Sequence, residues 1–387
     1  MAIWNLNESN FSWIDRLKLA GFFLNPKNMW TMSRKVQEFE QKMSGYIGCA
    51  HSVFVSNGST ANTLIAMFAR DRLASAEKNT VVFPSVTWIT SVSPFVRLGF
   101  EPKLIDVSLD DLSLDVNLLD AYLAENHHKV ALVFITSLLG QTPNVKALKE
   151  LEAKYNVRVM MDNCESHFST YEGKNLSSYF TSTTSTYFGH LLQSVEGGFV
   201  FTSNKDEQEY FTMSRNHGMI RTLPAHEQAR YQNPLVDDRF SFHYLGNNFR
   251  NTDVHASVGL LDFARIQTYI KKRKSLYKVF TDNISPKYIL PKTFANRENI
   301  MFCLPIMTDD SQVKIKAMQY CVDNGIETRP IISGNLLRQT ALKDFGDYHE
   351  YPVAEFIHNH GFYVGLHPRV TPTEIKTLVA FLNGLVA

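Results

Sequence analysis

Val130-Ala-Leu-Val-Phe-Ile-Thr136 is a near-continuous apolar run, a helical pattern follows from about Val145 to Tyr155, and Val157-Arg-Val-Met-Met161 then stops at Asp162. Apolar runs without alternation suit strands buried on both faces, and two of them joined by one helix suit a right-handed parallel crossover. The same rhythm extends towards the N-terminus. His51-Ser-Val-Phe-Val55 reads as a short buried strand, and Ser56-Asn-Gly-Ser-Thr60 leads into a helix with Ala61, Leu64, Ile65 and Phe68 on one face. Thr80-Val-Val-Phe83 stops at Pro84, and Lys103-Leu-Ile-Asp106 precedes a helix from about Asn117 to Glu125. The alternation predicts an α/β fold with a mainly parallel sheet and helices on both faces.

Beyond about Asn251 the pattern changes. A long helix is expected from roughly Val254 to Asn283, then Ile300-Met-Phe-Cys-Leu-Pro-Ile306, a helix from about Ser311 to Asn324, and Ile326-Glu-Thr-Arg-Pro330. Thr371-Pro-Thr-Glu374 opens the last helix with a capping box and proline at its first position. Two units are therefore expected: residues 1–250 as a large domain with an N-terminal segment, and 251–387 as a smaller C-terminal α/β domain.

The chain's 387 residues exceed what a single core usually serves. Lys and Arg total 39 against 38 Asp and Glu, a net charge of +1, so no global positive field is available for nucleic acid or an anionic membrane. Cys49, Cys164, Cys303 and Cys321 lie far apart, which reads as reduced thiols in a cytoplasmic chain, with neither a zinc ribbon nor a disulfide framework. Met1-Ala-Ile-Trp-Asn-Leu lacks the basic start and apolar run of a signal peptide, and no apolar stretch is long enough for a membrane span. His127-His128 and His358-Asn-His360 lack further ligands and read as solvated surface histidines, so no metal is expected.

Ligands of open parallel sheets sit at the carboxyl ends of strands. Four features fall there. Gly58-Ser59-Thr60 opens a helix after a strand and is either a plain N-cap or an anion cradle. Trp88 either fills the core or stacks on a planar ring. Asp162 either caps a turn or holds a proton on a ring nitrogen, with Glu165 three residues on. Ser185-Thr-Tyr-Phe-Gly-His190-Leu-Leu-Gln-Ser-Val-Glu196-Gly-Gly198 sets a hydroxyl, a histidine and a glycine pair before a strand, an order unusual for packing alone.

In their order and spacing these features resemble the sugar aminotransferase family (DegT/DnrJ/EryC1/StrS) of fold-type I enzymes, which use pyridoxal or pyridoxamine phosphate. Trp30-Thr-Met-Ser-Arg-Lys-Val36, Gly246-Asn-Asn-Phe-Arg250 and Arg329-Pro-Ile-Ile-Ser-Gly-Asn335 extend the resemblance over most of the chain. The resemblance implies an aspartate aminotransferase-like large domain. One departure is decisive: where most members carry the lysine that tethers the coenzyme, six residues before Glu196-Gly-Gly, this chain has His190. Imidazole moves protons near neutral pH but has no primary amine with which to tether the coenzyme.

That departure resembles the family's histidine-containing 3-dehydratases of nucleotide-linked 4-keto-6-deoxyhexoses, with GDP-4-keto-6-deoxy-D-mannose as the expected substrate. A related type holds an iron–sulfur cluster, for which four scattered cysteines are unsuited. The resemblance implies that His190 removes a proton from the coenzyme's C4′ carbon and then helps the C3 hydroxyl leave as water. L-glutamate would restore pyridoxamine phosphate, and ammonia would be released. It further implies that Asp162 pairs with the pyridine nitrogen, Trp88 stacks on the ring, Glu165 lies near the ring hydroxyl, and Gly58, Ser59, Thr60 and Ser185 bind the phosphate. Asn248 would reach that phosphate from the neighbouring subunit of a homodimer, and Phe240 would help block the lysine's space. His217, Arg250, Arg329 and Asn335 would line the sugar-nucleotide and glutamate site, although Arg329 equally suits a structural salt bridge. Leu191, where relatives often have a second histidine, and Ser33, where they tend to have glycine, bear on which sugar nucleotide is bound. Two other readings remain: a different reaction in the same site, such as a transamination, and a binding protein that kept the fold without the chemistry.

Overall fold

The computed structural model describes residues 4–9 and 11–387. The first three residues, on which the reading of the N-terminus partly rests, lie outside them. Seven strands form the main sheet: β1 (His51–Val55), β2 (Thr80–Pro84), β3 (Glu101–Ile105), β4 (Val130–Thr136), β5 (Val159–Asp162), β6 (Ser182–Ser185) and β7 (Gly198–Thr202). Their order is β1-β7-β6-β5-β4-β2-β3. Strands β3, β2, β4, β5 and β6 pair in parallel, and β7 alone runs antiparallel to both its neighbours. The expected mainly parallel sheet is thus present.

Burial on both faces explains the unbroken apolar strands. Leu132 and Phe134 of β4 join one core, packed with Phe54, Phe83 and Phe199, while Val133 and Ile135 join a second core with Val82, Leu148 and Val159. In the first, the rings of Phe39, Phe54 and Phe199 lie within 4.7–5.1 Å of one another.

A second sheet holds β8 (Cys303–Met307), β9 (Thr328–Arg329) and β10 (Gly361–Gly365), with β10 central and antiparallel to both. The single long helix expected from Val254 is in fact two, Asp253–Phe263 and Ile266–Asn283. The break falls at Ala264-Arg265, where Arg265 leaves helical geometry (φ −111°, ψ 2°) to reach Asp15 at 2.6 Å. The last helix, Pro372–Leu385, carries the expected capping box between Thr371 and Glu374. No described helix is long and apolar enough to cross a membrane.

Candidate active site

The carboxyl ends of β4, β5 and β6 and the start of the helix Gly58–Arg72 open onto one cavity of about 750 Å³, closed on its far side by Phe302, Arg329 and Tyr363 around the second sheet. Asp162, the last residue of β5, is almost fully buried there. Its Oδ2 accepts hydrogen bonds from Asn62 Nδ2 (2.7 Å) and Ser91 Oγ (2.6 Å), and its Oδ1 accepts the Cys164 N–H at 3.1 Å. Asn62 is oriented in turn by the Thr183 hydroxyl (2.5 Å). A carboxylate held by three donors at a cavity wall is placed to keep a proton on a ligand's ring nitrogen.

Gly58 begins its helix where β6 ends. A Cβ on it would lie 2.9 Å from Ser185 Cβ and 3.0 Å from Cys164 Sγ, so any larger residue would push these walls apart. Asn57 caps the helix by accepting the Thr60 N–H at 2.8 Å. The N–H groups of the first turn, Gly58 and Ser59, have no acceptor within the helix and form an anion cradle with the helix dipole behind them. Ser59 and Ser185 line the same cavity. Trp88, 56% exposed, presents its indole to it from the start of the helix Ile89–Arg97. Cradle, buried carboxylate and open aromatic face together fit a phosphorylated pyridine.

His190 lines the cavity with Asp162 and Glu165. Burial pushes its imidazole down to about 4, partly countered by the Asp162 charge, so it is neutral and able to accept a proton at pH 7. Its Nδ1 is buried without a hydrogen-bond partner. Glu165 shifts the other way: burial raises its carboxyl to about 8, against the stabilising Leu139 N–H at 2.8 Å. It therefore stays protonated near neutrality. The unfolded carboxyl ionises near 4.5 while the folded one keeps its proton to about 8, so the carboxyl's contribution to stability is lost as pH rises through that window. Glu165→Gln removes this dependence: its melting temperature should match the native protein's near pH 4.5 and exceed it increasingly towards pH 8.5, as scanning calorimetry across that range would show.

The structure departs from the sequence reading at several residues. Thr60 does not line the cavity: its Oγ1 accepts the Asn57 N–H and donates to the Asn57 carbonyl, completing the helix cap. Asn335 is fully buried and not at the cavity; its amide donates to Tyr348 O and Glu355 and accepts the Leu337 N–H, so it caps a helical turn. His217, Phe240, Asn248 and Arg250 are absent from the cavity lining. His217 sits in a left-handed turn (φ 63°). Phe240 is 61% exposed beneath the Arg221 guanidinium. Asn248 is exposed, and Arg250 bridges to Val55 at the end of β1. Arg329 does face the cavity, half exposed and paired with Glu327 at 2.7 Å.

The sequence reading missed Asn62 and Ser91. Asn62 is a lone polar residue among Ala61, Leu64 and Ile65 on a buried helix face, a signal that a partner was waiting across the core.

An aminotransferase-type large sheet with a cavity lined by an anion cradle, a buried carboxylate and an open aromatic face at its strand ends defines the class. The chain belongs to the DegT/DnrJ/EryC1/StrS aminotransferase family, whose model matches residues 24–383. It is 27% identical to GDP-4-keto-6-deoxy-D-mannose 3-dehydratase of Yersinia pseudotuberculosis over 92% of each chain. Its fold is that of the E. coli GDP-4-keto-6-deoxy-D-mannose-3-dehydratase with bound hydrated PLP (TM-score 0.89, 23% identity, 99% of this chain and 100% of that one). A further structure of a GDP-4-keto-6-deoxymannose-3-dehydratase, holding a trapped PLP-glutamate geminal diamine, is equally close (TM-score 0.89, 23% identity, 98% and 100%).

Proposed function

We propose that this protein is a pyridoxamine phosphate-dependent 3-dehydratase of a nucleotide-linked 4-keto-6-deoxyhexose, GDP-4-keto-6-deoxy-D-mannose foremost, with L-glutamate restoring the amine. The observation that carries this is a neutral imidazole, His190, lining the cavity beside Asp162 where the family's lysine is expected. The relatives named above, acting on that sugar nucleotide, support the substrate. Glutamate is supported by the adduct in the related structure.

When bound, the coenzyme supplies an amine for the substrate's carbonyl and a ring that takes up an electron pair. Asp162 holds the proton on the ring nitrogen that makes the ring electron-poor. Gly58, Ser59 and Ser185 hold the phosphate, and Trp88 covers one ring face. His190 accepts one proton at its imidazole and returns it to the C3 oxygen, which departs as water, one group serving as base and then as acid. Neutral Glu165 would offer the coenzyme a hydrogen-bond donor without adding a second negative charge beside Asp162. Arg329, with its guanidinium half in solvent, is suited to a carboxylate or a pyrophosphate.

A homodimer with shared sites belongs to this reading. Leu235, Phe240, Phe242 and Leu245 are 57–95% exposed on one segment that also carries Asn248. So much apolar surface on so short a stretch suits burial against a second copy. Four cysteines outside any disulfide suit a reducing cytoplasm.

Incubation with GDP-4-keto-6-deoxy-D-mannose, glutamate and coenzyme should yield 2-oxoglutarate, ammonia and a sugar lacking the C3 oxygen by mass spectrometry. A product aminated at C4 with its C3 oxygen intact would instead mark a transaminase. Absence of coenzyme uptake would mark a protein that only keeps the fold.

A further inference from the structure

Residues 4–7 lie as a strap across the edge of the second sheet. The Trp4 N–H donates to Gly325 O (3.1 Å), its carbonyl accepts the Glu327 N–H (2.9 Å), and its indole donates to Gly365 O (2.8 Å). The Leu6 N–H donates to the Glu327 carboxylate at 3.0 Å. Gly365 has no side chain because a Cβ there would collide with the Leu6 carbonyl, so strap and strand meet backbone to backbone.

From this anchored base Asn7 reaches the loop that carries the proposed base. Its Nδ2 donates to the carbonyls of Phe188 and His190, the second at 3.3 Å. Both neighbours are acceptors only, so the nitrogen must face the loop and the oxygen must face away from it. That oxygen is buried and has no donor, while the residue is only 8% exposed and lines the cavity. Asn7, Phe188 and Glu327 also border an outer recess that holds Arg16 and Arg369, so Asn7 stands where the cavity opens outward. A buried amide oxygen without a donor is costly, and a hydroxyl of a ligand filling the cavity that Asn7 lines would satisfy it.

We propose that Asn7 is a positioning and specificity residue: its amide nitrogen holds the loop presenting His190, and its oxygen accepts a hydrogen bond from a hydroxyl of the bound hexose. The second half rests on the proposed function; the first does not.

Two variants of the coenzyme-loaded protein separate the halves. Asn7→Ala removes donor and acceptor, whereas Asn7→Asp keeps an acceptor and loses the donor. Hydrogen exchange of the peptide spanning residues 187–191 should quicken several-fold in both, with exchange elsewhere unchanged. In calorimetric titrations, Asn7→Ala should bind GDP-mannose about tenfold more weakly, the loss of one good hydrogen bond. It should bind GDP, which has no hexose, as the native protein does. Asn7→Asp should hold GDP-mannose within about threefold of native, because the acceptor remains. Unchanged exchange in both variants overturns the positioning role. Equal losses for GDP-mannose and GDP, or none for either, overturn the hexose contact. A native protein that binds neither probe refutes the functional reading and the hexose contact with it, while the exchange data still decide the loop.

Discussion

His190→Asn should lower the rate of C3 dehydration by about 10²–10⁴-fold, the usual contribution of a positioned acid–base group. Asparagine keeps much of the volume and a hydrogen-bonding end, but it neither takes up nor delivers a proton near pH 7. Coenzyme binding should survive, because the anion cradle at Gly58 and Ser59 and the carboxylate of Asp162, which are proposed to hold the coenzyme, belong to other elements. The loss should therefore appear in kcat, with spectroscopic coenzyme titration close to native. The pH profile adds a second test. The base must be unprotonated to act, so activity falls as pH drops through its pKa. Because burial holds His190 at about 4, the acidic limb of kcat/KM should lie near pH 4, well below the ordinary histidine value of 6.5. His190→Lys should abolish dehydration and allow borohydride to fix the coenzyme to the protein. Undiminished dehydration by His190→Asn would remove the proposed base.

Asp162→Asn should weaken coenzyme binding by on the order of 10²–10⁴-fold, since breaking a buried charge pair costs about 3–5 kcal/mol. An amide of the same shape cannot hold a proton on the ring nitrogen by charge. It also turns a donor either towards Asn62 Nδ2 and Ser91 Oγ or towards the Cys164 N–H, all of which now donate to the carboxylate. Absorbance titration with pyridoxal phosphate would measure the loss, and circular dichroism would confirm that the variant folds. A variant that binds the coenzyme as tightly as the native protein would place the ring nitrogen elsewhere. Asn62→Ala should give a smaller loss in the same direction, because the carboxylate keeps Ser91 and the Cys164 N–H.

The elements themselves were legible because burial is written locally. The unbroken run Val130–Thr136 had to be a strand covered on both faces, and it is buried along its whole length. Asp162 was legible for the same reason, standing where an apolar run stops and where a parallel sheet gathers its ligands. Ser185, by contrast, ends a polar strand, Ser182–Ser185, and was legible only through the family resemblance. Thr60 and Asn335 misled because threonine and asparagine are both cap residues and ligand residues, and only the geometry of their hydrogen bonds separates the two uses. The helix expected across Val254–Asn283 failed at Arg265, whose ion pair with Asp15 spans 250 positions of sequence.

By itself the sequence determined the alternation of strands and helices, the order of the glycine turn, the carboxylate at the end of its strand and the histidine, and the absence of a tethering amine at that histidine. The tertiary structure alone decided which polar groups share the cavity, that His190 is neutral and Glu165 protonated there, and that Asn7 reaches the histidine's loop across more than 180 residues. The reason is physical. Periodicity reports what each residue's immediate neighbours bury, whereas a shifted proton affinity or a hydrogen bond between distant segments depends on sheet order and on the depth at which the segments meet.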